Sequence, residues 1–344
     1  MNHYAGIDVS LESSAVCVVD GAGKIVREAK VATEPGALIS WFQLLGVQVE
    51  RIGLEAGPLS QWLFAALREA NFAVELLETR HVRDAFKARL VKSDRNDARG
   101  IAQLMRLGWF RPVHCKSIEA QETRAILTAR KLLQSKLRDI ENSLRGILRG
   151  FGLKVGGTTE RTFAERIREL VAGHPRLELI AGALLEAHAT LLREFNGLDK
   201  HTQKLARLHP QAKLLMTTPA VGPIVALTYA AAIDDPKRFR SSKATGAHFG
   251  LTPKKYQSGQ TDYTGRISKI GDASVREALY QAAHVMLTKP VKNCPALKSW
   301  AMRIARRAGM SKAKVALARK LAVILHRMLA DGQPFNPAAK TTAA

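Results

Sequence analysis

The strongest constraint on the fold lies at the start of the chain. There, short apolar runs alternate with helical stretches, and two of the runs end in an acid. Tyr4–Asp8 and Ala15–Val19 are apolar runs of strand length. Asp20-Gly21-Ala22-Gly23 then supplies a turn into Lys24–Val31, so the second and third strands form a hairpin. No Gly-Lys-Ser/Thr helix start follows that Gly-rich turn, which separates it from a phosphate loop. Pro35 opens a helix through Leu45, with Trp41, Leu44 and Leu45 as its apolar face. Arg51–Glu55 reads as a strand, Leu59–Ala70 as a helix and Ala73–Leu77 as a strand.

A strand hairpin followed by alternating helix and strand is the order of an α/β domain of the ribonuclease-H type. Beyond it the pattern turns helical. From Glu119 to Gly150, Ile126, Leu133, Leu137, Ile140, Leu144 and Ile147 recur at helical spacings. Gly150, Gly152, Gly156 and Gly157 interrupt the pattern before a second helix, Leu177–Leu208, which carries Leu184, Leu185, Leu191, Leu192, Leu198 and Leu205. Two long amphipathic helices suggest a helical hairpin or coiled coil, serving in self-association, in presenting a basic face or as an ordinary spacer. From Lys213 the chain is helical and punctuated by glycine. Thr218-Pro219-Ala220-Val221-Gly222-Pro223 is similar to the turn of a helix-hairpin-helix, whose backbone N–H groups bind DNA phosphate. Ser311 is expected to cap a last helix with Leu317, Leu321, Ile324, Leu325 and Met328 on its apolar face. Lys312, Lys314, Arg319 and Lys320 are expected to lie off that face. The expected layout is an α/β domain over 1–115, a helical coiled coil over 116–210 and an all-helical domain over 211–335.

Fifty-three Lys and Arg against thirty Asp and Glu leave a net charge of +23 over 344 residues, a length that implies two or three domains. The basic residues recur from Arg80 to Arg327, and an excess of that spread calls for a polyanionic partner, of which nucleic acid is the usual one. A basic membrane-surface protein would need an amphipathic anchor or lipidation site, and none is evident. At 46% hydrophobic and 24% charged residues the chain is not a disordered basic tail. The uncharged stretch Leu214–Ile233 is broken by Pro219, Gly222 and Pro223, leaving far fewer than the ~20 residues a membrane span needs. Met1-Asn2-His3 runs directly into an apolar strand, so no leader is expected. Cys17, Cys115 and Cys294 are isolated, which gives neither a disulfide framework nor a zinc site. A cytoplasmic, membrane-free protein is the expectation.

In such a chain the acids are informative. Asp8 closes the first strand in Gly6-Ile7-Asp8, and Glu55 closes another in Gly53-Leu54-Glu55. A carboxylate ending an apolar strand is costly to desolvate unless a cation or donor meets it. Asp94 and Asp97, in Lys92-Ser93-Asp94-Arg95-Asn96-Asp97-Ala98-Arg99, fall on one face if helical. Any one of these acids reads as readily as a turn former or helix cap. The four together suit Mg²⁺ or Mn²⁺, hard cations that take oxygen ligands, and a metal pair can stabilise both oxygens of an in-line phosphoryl transfer. Arg95 and Arg99 fit a site that also neutralises phosphate.

The Gly6-Ile7-Asp8, Gly53-Leu54-Glu55-Ala56 and Lys92–Arg99 segments resemble the DEDD transposases of the IS110 family. So does Phe249-Gly250-Leu251-Thr252-Pro253 followed by Tyr256-Gln257-Ser258-Gly259. The resemblance covers nearly the whole chain. It implies a RuvC-like domain whose metal-binding acids match Asp8, Glu55, Asp94 and Asp97, a coiled coil in the middle helices, and a C-terminal transposase domain whose serine matches Ser258. It further implies a serine that attacks a DNA phosphodiester, a guide RNA encoded by the element, and a homo-oligomer, dimer or tetramer.

On its own surroundings Ser258 is not a hydrolase serine, because no His or acid has triad spacing. Its segment reads as a polar basic loop in which Lys254, Lys255, Arg266 and Lys269 contact phosphate. Ser93, Ser268 and Ser274 are competing hydroxyls, Ser93 as a residue that precedes or caps the acidic helix. Four other functions fit parts of the pattern. A RuvC-like structure-specific endonuclease would use the acids and water alone, and a pilin-type DNA invertase would share the whole site. A non-catalytic nucleic-acid binder would need no acid cluster. An actin-like ATPase also opens with Gly-x-Asp, but it needs further Gly-rich phosphate loops that this chain lacks.

Overall fold

The computed structural model describes residues 2–87 and 91–337 and divides into two compact units, Met1–Lys116 and Ser117–Ala344. The helices expected as a separate middle region fall in the second unit.

In the first unit, β1 (His3–Asp8), β2 (Ser13–Asp20), β3 (Ile25–Ala32), α1 (Pro35–Gln43), β4 (Val49–Glu55), α2 (Ser60–Glu69), β5 (Val74–Leu77), α3 (Thr79–Phe86) and α4 (Asp94–Leu107) follow in order. The five strands form one sheet in the order β3-β2-β1-β4-β5. β1, β2 and β3 pair antiparallel, whereas β1, β4 and β5 run parallel. The β2–β3 turn closes as expected, the Asp20 carboxylate accepting the N–H groups of Ala22 and Lys24 at 2.9 Å. Because successive strand residues point to opposite faces, Ala5 and Ile7 enter one core with Leu38, Phe42, Leu63 and Leu67 from α1 and α2. Tyr4, Cys17 and Val19 enter the other, with Val82 of α3 and Ile101, Ala102 and Met105 of α4. One face of α1 differs from the expectation. Leu38 and Phe42 are its buried residues, Trp41 and Leu45 pack at the margin, and Leu44 is 80% exposed.

In the second unit, α5 (Ile118–Arg149) and α7 (Pro175–Leu208) are the two long helices, and the glycine-interrupted segment between them folds α6 (Glu160–Val171). Leu144, Leu148, Phe163, Ile167, Val171, Leu177 and Leu185 make their shared core. Arg130 of α5 pairs with Asp199 of α7 at 2.5 Å and lies over the Phe195 ring. Next come α8 (Pro210–Leu215), α9 (Pro223–Ile233), a single 3₁₀ turn at Pro236–Arg238, and α10 (Ala244–His248). After them lie β6 (Pro253–Ser258), β7 (Thr261–Ile267), α11 (Ala273–Thr288), α12 (Pro295–Ala308) and α13 (Met310–Asp331). α9 is apolar all round and almost wholly buried. Tyr229 on it donates its O–H to the Ala322 carbonyl of α13 at 2.5 Å.

Three expectations are corrected here. The C-terminal part is not all-helical, because β6 and β7 form an antiparallel hairpin where a loop was expected. Ser311 is not a cap: α13 begins at Met310 behind Gly309. Lys320 does not lie off the apolar face but is buried, its ammonium 4.3 Å from the centre of the Trp300 ring. Its long aliphatic stem allows burial, and the indole face partners the charge.

Candidate functional site

Two glycines explain how the first unit gathers its acids. Gly6 and Gly53 sit opposite each other in the parallel β1–β4 register. A Cβ on Gly6 would stand 2.2 Å from the Ala98 carbonyl oxygen, and one on Gly53 would stand 2.8 Å from the Met105 sulfur. The absence of both side chains lets α4 lie directly on the sheet. Asp8 and Glu55 are each two residues further along their strands, so they share the face that carries α4. Asp94 and Asp97 are each four residues before Ala98 and Ile101, two of the three α4 residues that close on Gly6. One helical turn, about 5.4 Å, matches two strand residues, about 6.6 Å, and brings the four acids to one end.

The first turn of α4 is well fixed. Ser93 is its N-cap, accepting the Asn96 N–H, and Asp94 and Asp97 occupy the turn where the helix dipole favours negative charge. Asp8 shows the convergence electrostatically. Its carboxyl is pushed up to about 6, foremost by burial and then by the charges of Asp94, Asp97 and Glu55, with Lys92 opposing. Glu55 is raised as well, by burial and then by Asp97, against Lys92 and a hydrogen bond from Thr79. As they stand, no group of three or more His, Cys, Asp or Glu among the described residues is closed into a metal cage. The donors are nevertheless all hard carboxylate oxygens in mutual repulsion, which is a set that fits a divalent cation.

Arg95 and Arg99 do not stand free for phosphate. Both guanidiniums pair with Glu28 on β3, Arg95 at 2.5 Å to one carboxylate oxygen and Arg99 at 2.5 Å to the other. Glu28 therefore pins the acidic turn of α4 to the edge strand. Nothing in the local sequence marks it, since it is one acid among the exposed and half-buried positions of a strand.

Ser258 lies in the second unit, at the tip of the β6–β7 hairpin, opposite Thr261 in the register. Gly259 begins the turn with φ of +55°, a left-handed backbone that glycine adopts at no steric cost. Tyr256 and Tyr263 also face each other across the ladder, with rings stacked 5.4 Å apart and 26° from parallel. Strand alternation puts Tyr256, Ser258, Thr261 and Tyr263 on one face and Lys255 and Asp262 on the other. Lys255 and Asp262 form an exposed ion pair at 3.3 Å. Lys254 and Arg266 flank a register shift at the root of the hairpin, and Lys269 follows β7 with φ of +56°. Among the described residues no His or carboxylate is hydrogen-bonded to the Ser258 hydroxyl.

The root is rigid for reasons that the Phe249-Gly250-Leu251 motif contains. Phe249 and Leu251 are core residues. Gly250, at φ of +64°, lies so close to the Ile270 backbone that a Cβ would meet its N and O at 2.3 Å. Arg276 of α11 donates to the carbonyls of Phe249, Ile270 and Gly271 at 3.2, 2.9 and 3.0 Å. Sequence reasoning missed Arg276, whose only signal is an arginine one turn into a helix after a Gly-Asp start. Of the competing hydroxyls, Ser93 is the cap described above, and Ser274 is a backbone donor to the Asp272 cap.

Both segments that carry these residues are similar to known proteins. A transposase profile of the DEDD, IS110 type matches residues 5–152, which span all four acids, and a profile described as the transposase IS116/IS110/IS902 family matches residues 212–298, which span Ser258. The transposase for insertion sequence element IS1111A of Coxiella burnetii is 27% identical over 339 residues, covering 96% of this chain and 90% of that protein. A probable family 20 transposase of Pseudomonas aeruginosa is 26% identical over 83% of this chain and 86% of its own length. The pilin gene-inverting protein of Moraxella bovis is 28% identical over a shorter span, 38% of this chain and 40% of that protein. With both halves matched in order, together over more than half its length, the chain belongs to the IS110 family of transposases.

Proposed function

We propose that the protein exchanges DNA strands by metal-assisted phosphoryl transfer, with Ser258 as the attacking nucleophile and Asp8, Glu55, Asp94 and Asp97 as ligands of Mg²⁺ or Mn²⁺. The observation that carries this is the convergence of Asp94, Asp97 and Glu55 on a half-buried Asp8, whose carboxyl is pushed up to about 6 first by burial and then by their charges. The β3-β2-β1-β4-β5 order, with Asp8 and Glu55 ending neighbouring parallel strands, supports a ribonuclease-H or RuvC-like unit. A divalent cation bound by these carboxylates supplies the positive charge that phosphoryl transfer requires.

The serine forms its oxygen–phosphorus bond to a DNA phosphodiester as the bond to the leaving strand oxygen breaks. The hydroxyl proton is lost and the departing oxygen takes up a proton. The phosphoserine link keeps the strand on the protein until a second hydroxyl displaces the serine, so no external energy source is needed. Lys254, Arg266 and Lys269 neutralise phosphate around the hairpin, and Lys255 does so less because Asp262 engages it. The turn before α9, Thr218–Pro223, offers a further DNA-phosphate contact of the helix-hairpin-helix kind. The net charge of +23 supports a ribonucleoprotein with an element-encoded guide RNA, and α5 and α7 are the surfaces through which copies would associate.

A second reading is inversion of a DNA segment, favoured by the likeness to the pilin gene-inverting protein. It uses the same chemistry and differs in how the DNA sites are arranged. The test is strand transfer by Asp8→Asn, Glu55→Gln, Asp94→Asn and Asp97→Asn. Each amide keeps the shape but loses the charge, so each should abolish transfer and leave DNA binding within about twofold. Normal recombination by any one of them removes that acid from the site.

A further inference from the structure

Tyr256 and Tyr263 are the most conspicuous feature of the hairpin that the chemistry above leaves unused. They are 53% and 58% exposed, on a hairpin whose residues are nearly all exposed. Each ring is stacked against the other, and more than half of each residue's surface stays open to solvent. A cross-strand aromatic pair can help hold register, but this hairpin is already tied at its root by Phe249, Gly250 and Arg276. The pair also shares the face of Ser258, two residues along β6, at a separation of about 6.6 Å along the strand. Lys254 and Arg266 sit on the same hairpin near its root, and Lys269 follows it, so the segment that carries the pair is basic. Exposed aromatic rings on a basic hairpin are the two components of a surface for unstacked bases, stacking from the rings and phosphate neutralisation from the charges.

We infer that Tyr256 and Tyr263 form a stacking platform for an unpaired base of the DNA strand, next to the phosphodiester presented to Ser258. The position of the base relative to the scissile phosphate rests on the reading of Ser258 as nucleophile; the platform itself does not. Stacking tolerates any base, so the platform sets the geometry of the strand rather than its sequence. It requires the strand to be locally unpaired, because a base inside a duplex has no free face to offer.

The test uses the full chain and a short single-stranded DNA carrying 2-aminopurine, whose fluorescence is quenched on stacking, with a duplex of the same sequence as comparison. The double variant Tyr256→Phe with Tyr263→Phe should keep the quench and bind within about twofold. The double variant Tyr256→Leu with Tyr263→Leu should lose the quench and bind single strands roughly tenfold to a hundredfold more weakly, with an unchanged salt slope. Duplex binding should be unaffected. Because leucines could loosen the hairpin, Tyr256→Trp provides a second readout in an intact ladder. Its added indole emission should be quenched by the single strand and not by the duplex. A retained quench in the leucine variant, equal losses for single strand and duplex, or a Tyr256→Trp signal blind to single strands would each overturn the platform. None of these readouts needs cleavage. Should Ser258→Ala still transfer strands, the nucleophile assignment fails while the platform stands or falls on its own result.

Discussion

Glu28 accepts hydrogen bonds from Arg95 and Arg99, the two arginines that interleave with Asp94 and Asp97. The hydrogen bond from Arg99 is the main cause that holds its carboxyl at about 2, against an ordinary value of 4.5, with Arg95 adding to it. The unfolded chain therefore binds the Glu28 proton more readily than the folded one between those values. The stabilisation is complete above about 4.5 and disappears as pH falls toward 2. In urea unfolding across that window, Glu28→Gln should flatten part of the loss seen in the native protein, and parallel curves would show that the pair carries no stability. At this scale the four acids were legible, because a carboxylate at the end of an apolar strand and a pair spaced three apart are both local patterns. Glu28 was not legible, since its partners lie 67 and 71 residues away. Lys320 was misread for a similar reason: helical periodicity sends a lysine outward, and only the distant Trp300 ring makes its burial tolerable.

The element that matters most is α4, and what brings it onto the sheet is the lack of a side chain at Gly6 and Gly53. Alanine at Gly6 would place its Cβ 2.2 Å from a backbone oxygen, a contact that only displacement of the helix can relieve. Gly6→Ala should cost about 1–3 kcal/mol in urea unfolding, as overpacking does, and should impair strand transfer by moving Asp94 and Asp97 away from Asp8. Gly36→Ala, with open space around it, is the control and should be neutral or mildly stabilising. Native stability and activity in Gly6→Ala would contradict the close approach. The β1–β5 order was readable from alternating apolar runs, which strands with buried residues produce. The β6–β7 hairpin was not, because nearly every residue in it is exposed and no apolar alternation exists to be seen. α6 was also missed, its helix lying inside a stretch that glycines made look irregular.

For the molecule as a whole, the net charge of +23 predicts nucleic-acid binding that weakens steeply with salt, because each neutralised phosphate releases counterions. Titrations from low to moderate salt should give a straight log–log decline with a slope of several, and an unchanged binding constant would contradict the electrostatic reading. No helix among the described residues is long and apolar enough to cross a membrane. Asp8, Glu55, Asp94 and Asp97 lie in the first unit and Ser258 in the second, so the two matched segments each carry part of the proposed site. The most direct measurement is to trap and map the covalent intermediate. Labelled substrate DNA, full-length protein and Mg²⁺ or Mn²⁺ are combined, resolved on a denaturing gel, and the linked peptide is identified by mass. The account predicts an adduct on Ser258 that is absent from Ser258→Ala and from Asp8→Asn while both still bind DNA. An adduct on Tyr256 or Tyr263, or recombinant products from Ser258→Ala, would contradict it.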